Sequence, residues 1–155
     1  MILVTGAHGF VGKHLVAWLK KNEIEHSVAP NDVNLLCWND VVNLINDNRP
    51  TTVIHLAGYN GGVDFARGRE ASIFAQNTIM ALNLLEVCVL PFANVEKVVS
   101  LVASCAYPDY DYYSSDFTGS FDRDLAQGVF DESNYLRGRP HPSVAPHAYA
   151  KRNIQ

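Results

Sequence analysis

The chain has 155 residues, is 48% hydrophobic and carries a formal net charge of -4, with a sequence pI of about 5.8. That is enough chain to form one compact unit with a sizeable core, and its Lys and Arg are too scattered to form the basic stripe that a nucleic-acid partner would require. Three cysteines, Cys37, Cys88 and Cys105, show no CxxC spacing, so neither a disulfide framework nor a zinc site is predicted, and a reducing, cytoplasmic setting is expected.

The N-terminus runs straight into a glycine loop without a basic leader, and no uninterrupted apolar run approaches 18 residues, so neither a signal peptide nor a membrane partner is expected. Ile2 to Thr5 is a short apolar β-rich run of the kind buried on both sheet faces. From Phe10 to Lys21, Phe10, Val11, Leu15, Val16, Trp18 and Leu19 recur at helical spacing, with Lys13, Lys20 and Lys21 on the wet side. A second strand is predicted around His26 to Ala29, stopping at Pro30. Asn39 or Asp40 is the expected cap of a helix through Val41, Val42, Leu44 and Ile45, which Asn48-Arg49-Pro50 ends. TVIHLAG, Thr52 to Gly58, predicts a third strand running into a loop glycine, and a long helix over about Glu70 to Val89 is broken at Pro91. KVVSLVAS, Lys97 to Ser104, predicts the fourth strand. This alternation means βαβ units and a parallel sheet, a doubly wound α/β fold.

After Cys105 the periodicity vanishes over about 106–145, longer than an ordinary connection. Tyr107, Tyr110, Tyr112, Tyr113 and Phe117 alternate there with Asp109, Asp111 and Asp116; a solvated acidic loop with aromatic anchors is expected rather than a metal-binding DxD. A final helix is predicted from Pro146 to Gln155.

TGAHGFVG, Thr5 to Gly12, puts glycines at 6, 9 and 12 between a strand and a helix. Gly6 permits a tight turn, Gly9 lets the backbone approach a pyrophosphate, and Gly12 lets the helix pack closely on the sheet. The helix N-terminus would add amide donors and positive dipole.

Together with VIHLAG, NGGV (Asn60 to Val63), NTIMALNLLEVC (Asn77 to Cys88), SCAYP (Ser104 to Pro108) and RPHPSVAPHAYAKR (Arg139 to Arg152), this loop resembles the extended short-chain dehydrogenase/reductase family, in its nucleotide-sugar epimerase and reductase branch. The resemblance runs the length of the chain. It implies a Rossmann-type fold, NADP or NAD as cofactor, a sugar nucleotide as substrate, and a smaller C-terminal substrate domain that these residues would lack. It implies that Gly6, Gly9, Phe10, Val11 and Gly12 cradle the pyrophosphate, that Leu56, Ala57 and Gly58 line the cofactor, and that Lys151 is the catalytic lysine, bonded to the nicotinamide ribose. It also implies a homodimer built on the helix of Glu70 to Val89 and the helix of Lys151.

Several positions depart from the pattern. No Arg follows the second strand, in SVAPND, and Asp32 lies beyond Pro30, so the choice between NAD and NADP is not legible. Cys37, in NLLC, stands where the family has an aspartate beside the adenine. Ala103 stands where the family has the serine that bonds the reacting carbonyl, and a methyl group cannot do this. Ser104 is the neighbouring candidate, but on a strand it would point to the opposite face. Cys105 matches the family's epimerisation acid/base, or is a small buried thiol. His147 stands four residues before Lys151, where the family has tyrosine. Tyr149 cannot substitute, because two helical residues rotate by about 200°. His147 could act in its place, since imidazole titrates near pH 6.5. The two open readings are a cofactor domain with altered reduction chemistry and a catalytically silent nucleotide-binding module that acts through a partner.

Overall fold

A computed structural model describes residues 1–108, 132–136 and 138–154. The acidic and aromatic stretch from Asp109 to Phe117 therefore lies outside the described residues. The chain divides into two compact units, one of residues 1–59 with 79–101 and one of residues 60–78 with 102–155.

The first unit is a four-stranded parallel sheet of β1 (Ile2–Thr5), β2 (His26–Val28), β3 (Thr52–His55) and β4 (Lys97–Ser100), in the order β2-β1-β3-β4. Around it lie α1 (Phe10–Lys21), α2 (Trp38–Asn48) and the C-terminal part of a long helix numbered α4 (Glu70–Cys88). Parallel strands need helical crossovers, and these bury both faces of the sheet. Successive residues of β1 accordingly serve different cores. Leu3 packs with Val53, Val41, Ile45, Leu84 and Val87, while Val4 packs with Ala7 and Leu19. Fully buried aliphatic side chains of this kind contribute about 1.5–3 kcal/mol each.

Three strands end in line. β1 stops at Thr5 because Gly6 turns the chain; Thr5 is the last partner of β3, at His55, and His55 is the last partner of β4, at Ser100. β4 is therefore shorter than the apolar run predicts. Leu101 N–H still donates to the His55 carbonyl at 3.2 Å, but Ser104 is not on a strand: Ser104–Ala106 is a 3-10 turn. β3 likewise ends at His55 rather than Gly58, and β2 ends at Val28.

The helix ends follow local chemistry. α2 begins at Trp38 with Cys37, not Asn39 or Asp40, at its cap, and Asp40 instead accepts from the Asn34 amide at 3.0 Å. Its C-cap, Arg49, is left-handed at φ 45°, donates to the Ile45 carbonyl at 2.8 Å and precedes Pro50. In α1 the predicted apolar stripe is only partly inward. Leu19 is buried, but Phe10, Val11 and Trp18 are exposed, because the close contact with the sheet is made through Gly12. By length and composition α4 could cross a membrane, which counting uninterrupted apolar residues does not reveal. Its Leu84, Val87 and Cys88 lie in the core beneath the sheet, as in a helix of a folded domain.

The second unit contains α3 (Val63–Ala66), which sequence periodicity does not mark, the N-terminal part of α4, the Ser104–Ala106 turn and α5 (Ala145–Arg152). Its small core joins Ala106, Tyr135 and Ala148, with Cys105 and Tyr107 packed against them.

Candidate functional site

Two sets of candidate residues emerge, one in each unit. The first is the turn from β1 into α1. Gly6 has a φ of 68°, and a Cβ there would fall 2.5 Å from the Ala57 nitrogen, so both its conformation and its neighbour demand glycine. A Cβ on Gly12 would overlap the Gly6 carbonyl oxygen and lie 2.6 Å from Ala7 Cα. Gly9 differs. It is extended at φ -72°, and a Cβ would meet only the Gly6 carbonyl oxygen, at 3.3 Å. The fold excludes a side chain at Gly6 and Gly12 outright, whereas at Gly9 a Cβ would meet one tight backbone contact and nothing else within 4 Å.

Gly9 also stands at an uncapped helix end. Gly9 is the N-cap of α1, no side chain bonds the first-turn amides, and no acidic residue lies in the first turn. The orphan donors and the positive end of the dipole are thus available to an anion. Phe10 is 82% exposed and meets the His14 ring edge-on at 5.2 Å between centroids. The floor is rigid: Thr5 Oγ1 and His55 Nδ1 are hydrogen-bonded at 2.8 Å within the core, and Leu56 N–H donates to the Thr5 carbonyl at 3.1 Å. Leu56, Ala57 and Gly58 follow as the segment beside the glycine turn.

The second set surrounds a cavity of about 490 Å³ in the second unit. Ala103, Cys105 and His147 line it, together with Asn60, Arg67 and Glu70. His147 Nδ1 is buried without a hydrogen-bond partner. Burial, and secondarily the Lys151 ammonium, hold the imidazole below its ordinary 6.5, which favours the neutral, proton-accepting form. Burial pushes the Cys105 thiol above 9.0, against the opposing pull of a backbone hydrogen bond and of Lys151, which favours the protonated form. Lys151 is 7% exposed, and burial lowers its pKa from 10.5 while Cys105 opposes that shift.

The predicted site residues divide accordingly. Cys105 and His147 share the cavity, together with Ala103, whose methyl offers no donor. Ser104 is exposed and not among the lining residues; its carbonyl accepts from the Tyr107 amide at 3.0 Å, closing the turn. Tyr149 is 39% exposed and lines a different groove with Phe74 and Asn153, as the rotation along α5 requires.

Sequence reasoning missed Arg152. Its Nε donates to the Ala106 carbonyl at 2.6 Å and its Nη1 to the Gly138 carbonyl at 2.9 Å, while Nη2 is buried without a partner. Tyr135 was missed as well; its hydroxyl donates to the Lys151 carbonyl at 3.3 Å. Backbone carbonyls in irregular segments leave no pattern by which to find such partners. Among the described residues no cluster of His, Cys, Asp and Glu could hold a metal ion.

A parallel sheet with flanking helices and a glycine turn at the end of its first strand defines a Rossmann-type dinucleotide-binding fold. The chain belongs to the NAD dependent epimerase/dehydratase family, whose model matches residues 2–152. It is 31% identical over 157 residues to GDP-L-fucose synthase of Dictyostelium discoideum, with 99% of this chain and 44% of that protein covered. A crystal structure of GDP-L-fucose synthetase from Naegleria fowleri bound to NADP superposes with a TM-score of 0.76 at 28% identity, covering 99% of this chain and 44% of that one. UDP-glucose 4-epimerase of Thermus thermophilus in complex with NAD gives 0.70 at 26% identity, covering 99% and 48%. The chain thus spans less than half the length of these relatives.

Proposed function

We propose that the chain is the NAD(P)-binding part of a nucleotide-sugar epimerase or reductase similar to GDP-L-fucose synthase. The observation that carries this reading is Gly9, where the fold itself opposes a side chain far less than at Gly6 or Gly12, set as the N-cap of an uncapped helix N-terminus. The amides of Phe10, Val11 and Gly12 would take the pyrophosphate, Gly6 and Gly12 keep the turn tight, and Leu56, Ala57 and Gly58 form the adjoining wall. The NADP and NAD bound by the relatives support this class of ligand. When bound, the dinucleotide supplies hydride transfer. Lys151 is assigned to the nicotinamide ribose by family resemblance.

Within the second unit, the neutral imidazole of His147 would accept a proton and the thiol of Cys105 would donate one to a carbonyl sugar in the cavity. Ser104 is assigned no role at the reacting carbonyl. The free cysteines favour a reducing, cytoplasmic setting.

Ala103 and His147 favour a second reading, a dinucleotide-binding module without reduction chemistry that acts through a partner. Calorimetric titration with NADP(H) and NAD(H) tests both. Both readings expect saturable binding of at least one dinucleotide, and absence of binding to any would overturn them together. NADPH oxidation on a GDP-linked 4-keto-6-deoxy sugar would then favour the enzyme, and its absence in a chain restored to the relatives' length the module.

A further inference from the structure

We infer that Arg152 is a positioning residue, whose guanidinium pins the turn carrying Cys105 to the helix carrying His147 and Lys151, and so keeps thiol and imidazole on one cavity. The inference rests on the proposed proton-transfer reading of that cavity. Ala106 of the turn is fully buried against Tyr135 and against Ala148 of α5, with Cys105 and Tyr107 packed beside them, and this packing by itself sets no direction for the turn's backbone. Ser104–Ala106 is a single 3-10 turn closed by Ala106 N–H to the Ala103 carbonyl at 2.9 Å and Tyr107 N–H to the Ser104 carbonyl at 3.0 Å, both internal to the segment. A directional tie to α5 comes from Arg152, whose Nε donates to the Ala106 carbonyl at 2.6 Å.

The same planar group reaches the Gly138 carbonyl through Nη1 at 2.9 Å. Two donors of one rigid fork, bound to carbonyls of two separate segments, fix direction as well as distance, which a flexible ammonium cannot do. Arg152 also lies over the Tyr149 ring at 5.7 Å, so its stem and head are held on α5 itself. One position earlier, the Lys151 carbonyl accepts from Tyr135, which packs edge-on to Tyr107 at 5.1 Å between ring centroids. The last turn of α5 thus gathers Cys105 and its neighbours from two sides. Arg152 does not line the cavity, so its effect on chemistry there is indirect.

The test is site-resolved alkylation with iodoacetamide across pH, read by peptide mass spectrometry so that Cys37 and Cys105 are followed separately, in the wild-type chain, Arg152→Gln and Arg152→Lys. In Arg152→Gln the Cys105 rate at fixed pH should rise about ten-fold and its pH midpoint should fall toward that of an ordinary thiol. Arg152→Lys, which can keep one of the two bonds, should lie between, and the Cys37 rate should not move. An unmoved Cys105 midpoint and rate in Arg152→Gln would overturn the inference, and so would equal increases at Cys37 and Cys105, which report general loosening. If Arg152→Gln does not fold, Arg152→Lys decides on the same terms. Dinucleotide titration of the same samples separates the two claims, since loss of binding in every sample counts against the proposed function and leaves the Cys105 comparison intact.

Discussion

His147 is the residue on which the proposed chemistry turns. Its pKa is lowered from 6.5 by burial first and by Lys151 second, so between that depressed value and 6.5 the unfolded chain binds a proton that the folded chain does not. Stability therefore falls as pH drops through this window. His147→Gln, with nothing to titrate, should flatten the acid side of a melting-temperature profile measured below pH 6.5; an unchanged slope would mean that the imidazole is not held neutral. Any NADPH-dependent reduction should also be limited by the two missing donors. Ala103→Ser with His147→Tyr should raise it by about 100-fold or more, the worth of one well-aimed oxyanion donor, measured as single-turnover NADPH oxidation. At this scale the sequence told most about α5, because helical rotation alone separates Tyr149 from His147 and Lys151. It said nothing of Arg152, whose partners are carbonyls that any residue could supply.

The elements were more legible than their ends. Apolar period marked all four strands and the main helices, but could not say where β4 stops. KVVSLVAS stays apolar past Ser100, and the limit comes from pairing, since β3 has no residue to offer after His55. That difference moved Ser104 from a strand face to a turn. The glycine turn carries the matching prediction. Gly12→Ala should destabilise the chain by about 1–3 kcal/mol or more, as overpacking against backbone does, because the added methyl meets the Gly6 carbonyl and Ala7. Gly9→Ala, whose methyl meets only the Gly6 carbonyl oxygen at 3.3 Å, should cost clearly less stability than Gly12→Ala while weakening dinucleotide binding at least about ten-fold, a methyl group in the way of a phosphate. Equal stability losses in the two variants would remove the distinction on which the proposed function rests.

For the molecule as a whole, the family resemblance implies a dimer on α4 and α5, and Phe74, Ile79 and Leu82 give α4 an exposed apolar side. Sedimentation should find a dimer that Leu82→Glu dissociates; a monomer at all concentrations would set this surface aside. The sheet has a further practical consequence. Among the described residues β4 is an edge, and Val99 and Leu101 are 41% and 47% exposed along it. An apolar edge strand is a template for pairing between molecules. The isolated chain should therefore scatter light increasingly with concentration and time, and Val99→Lys, which charges the rim without entering the core, should slow that growth. Handling of this protein in solution will depend less on its net charge than on what is laid along that strand.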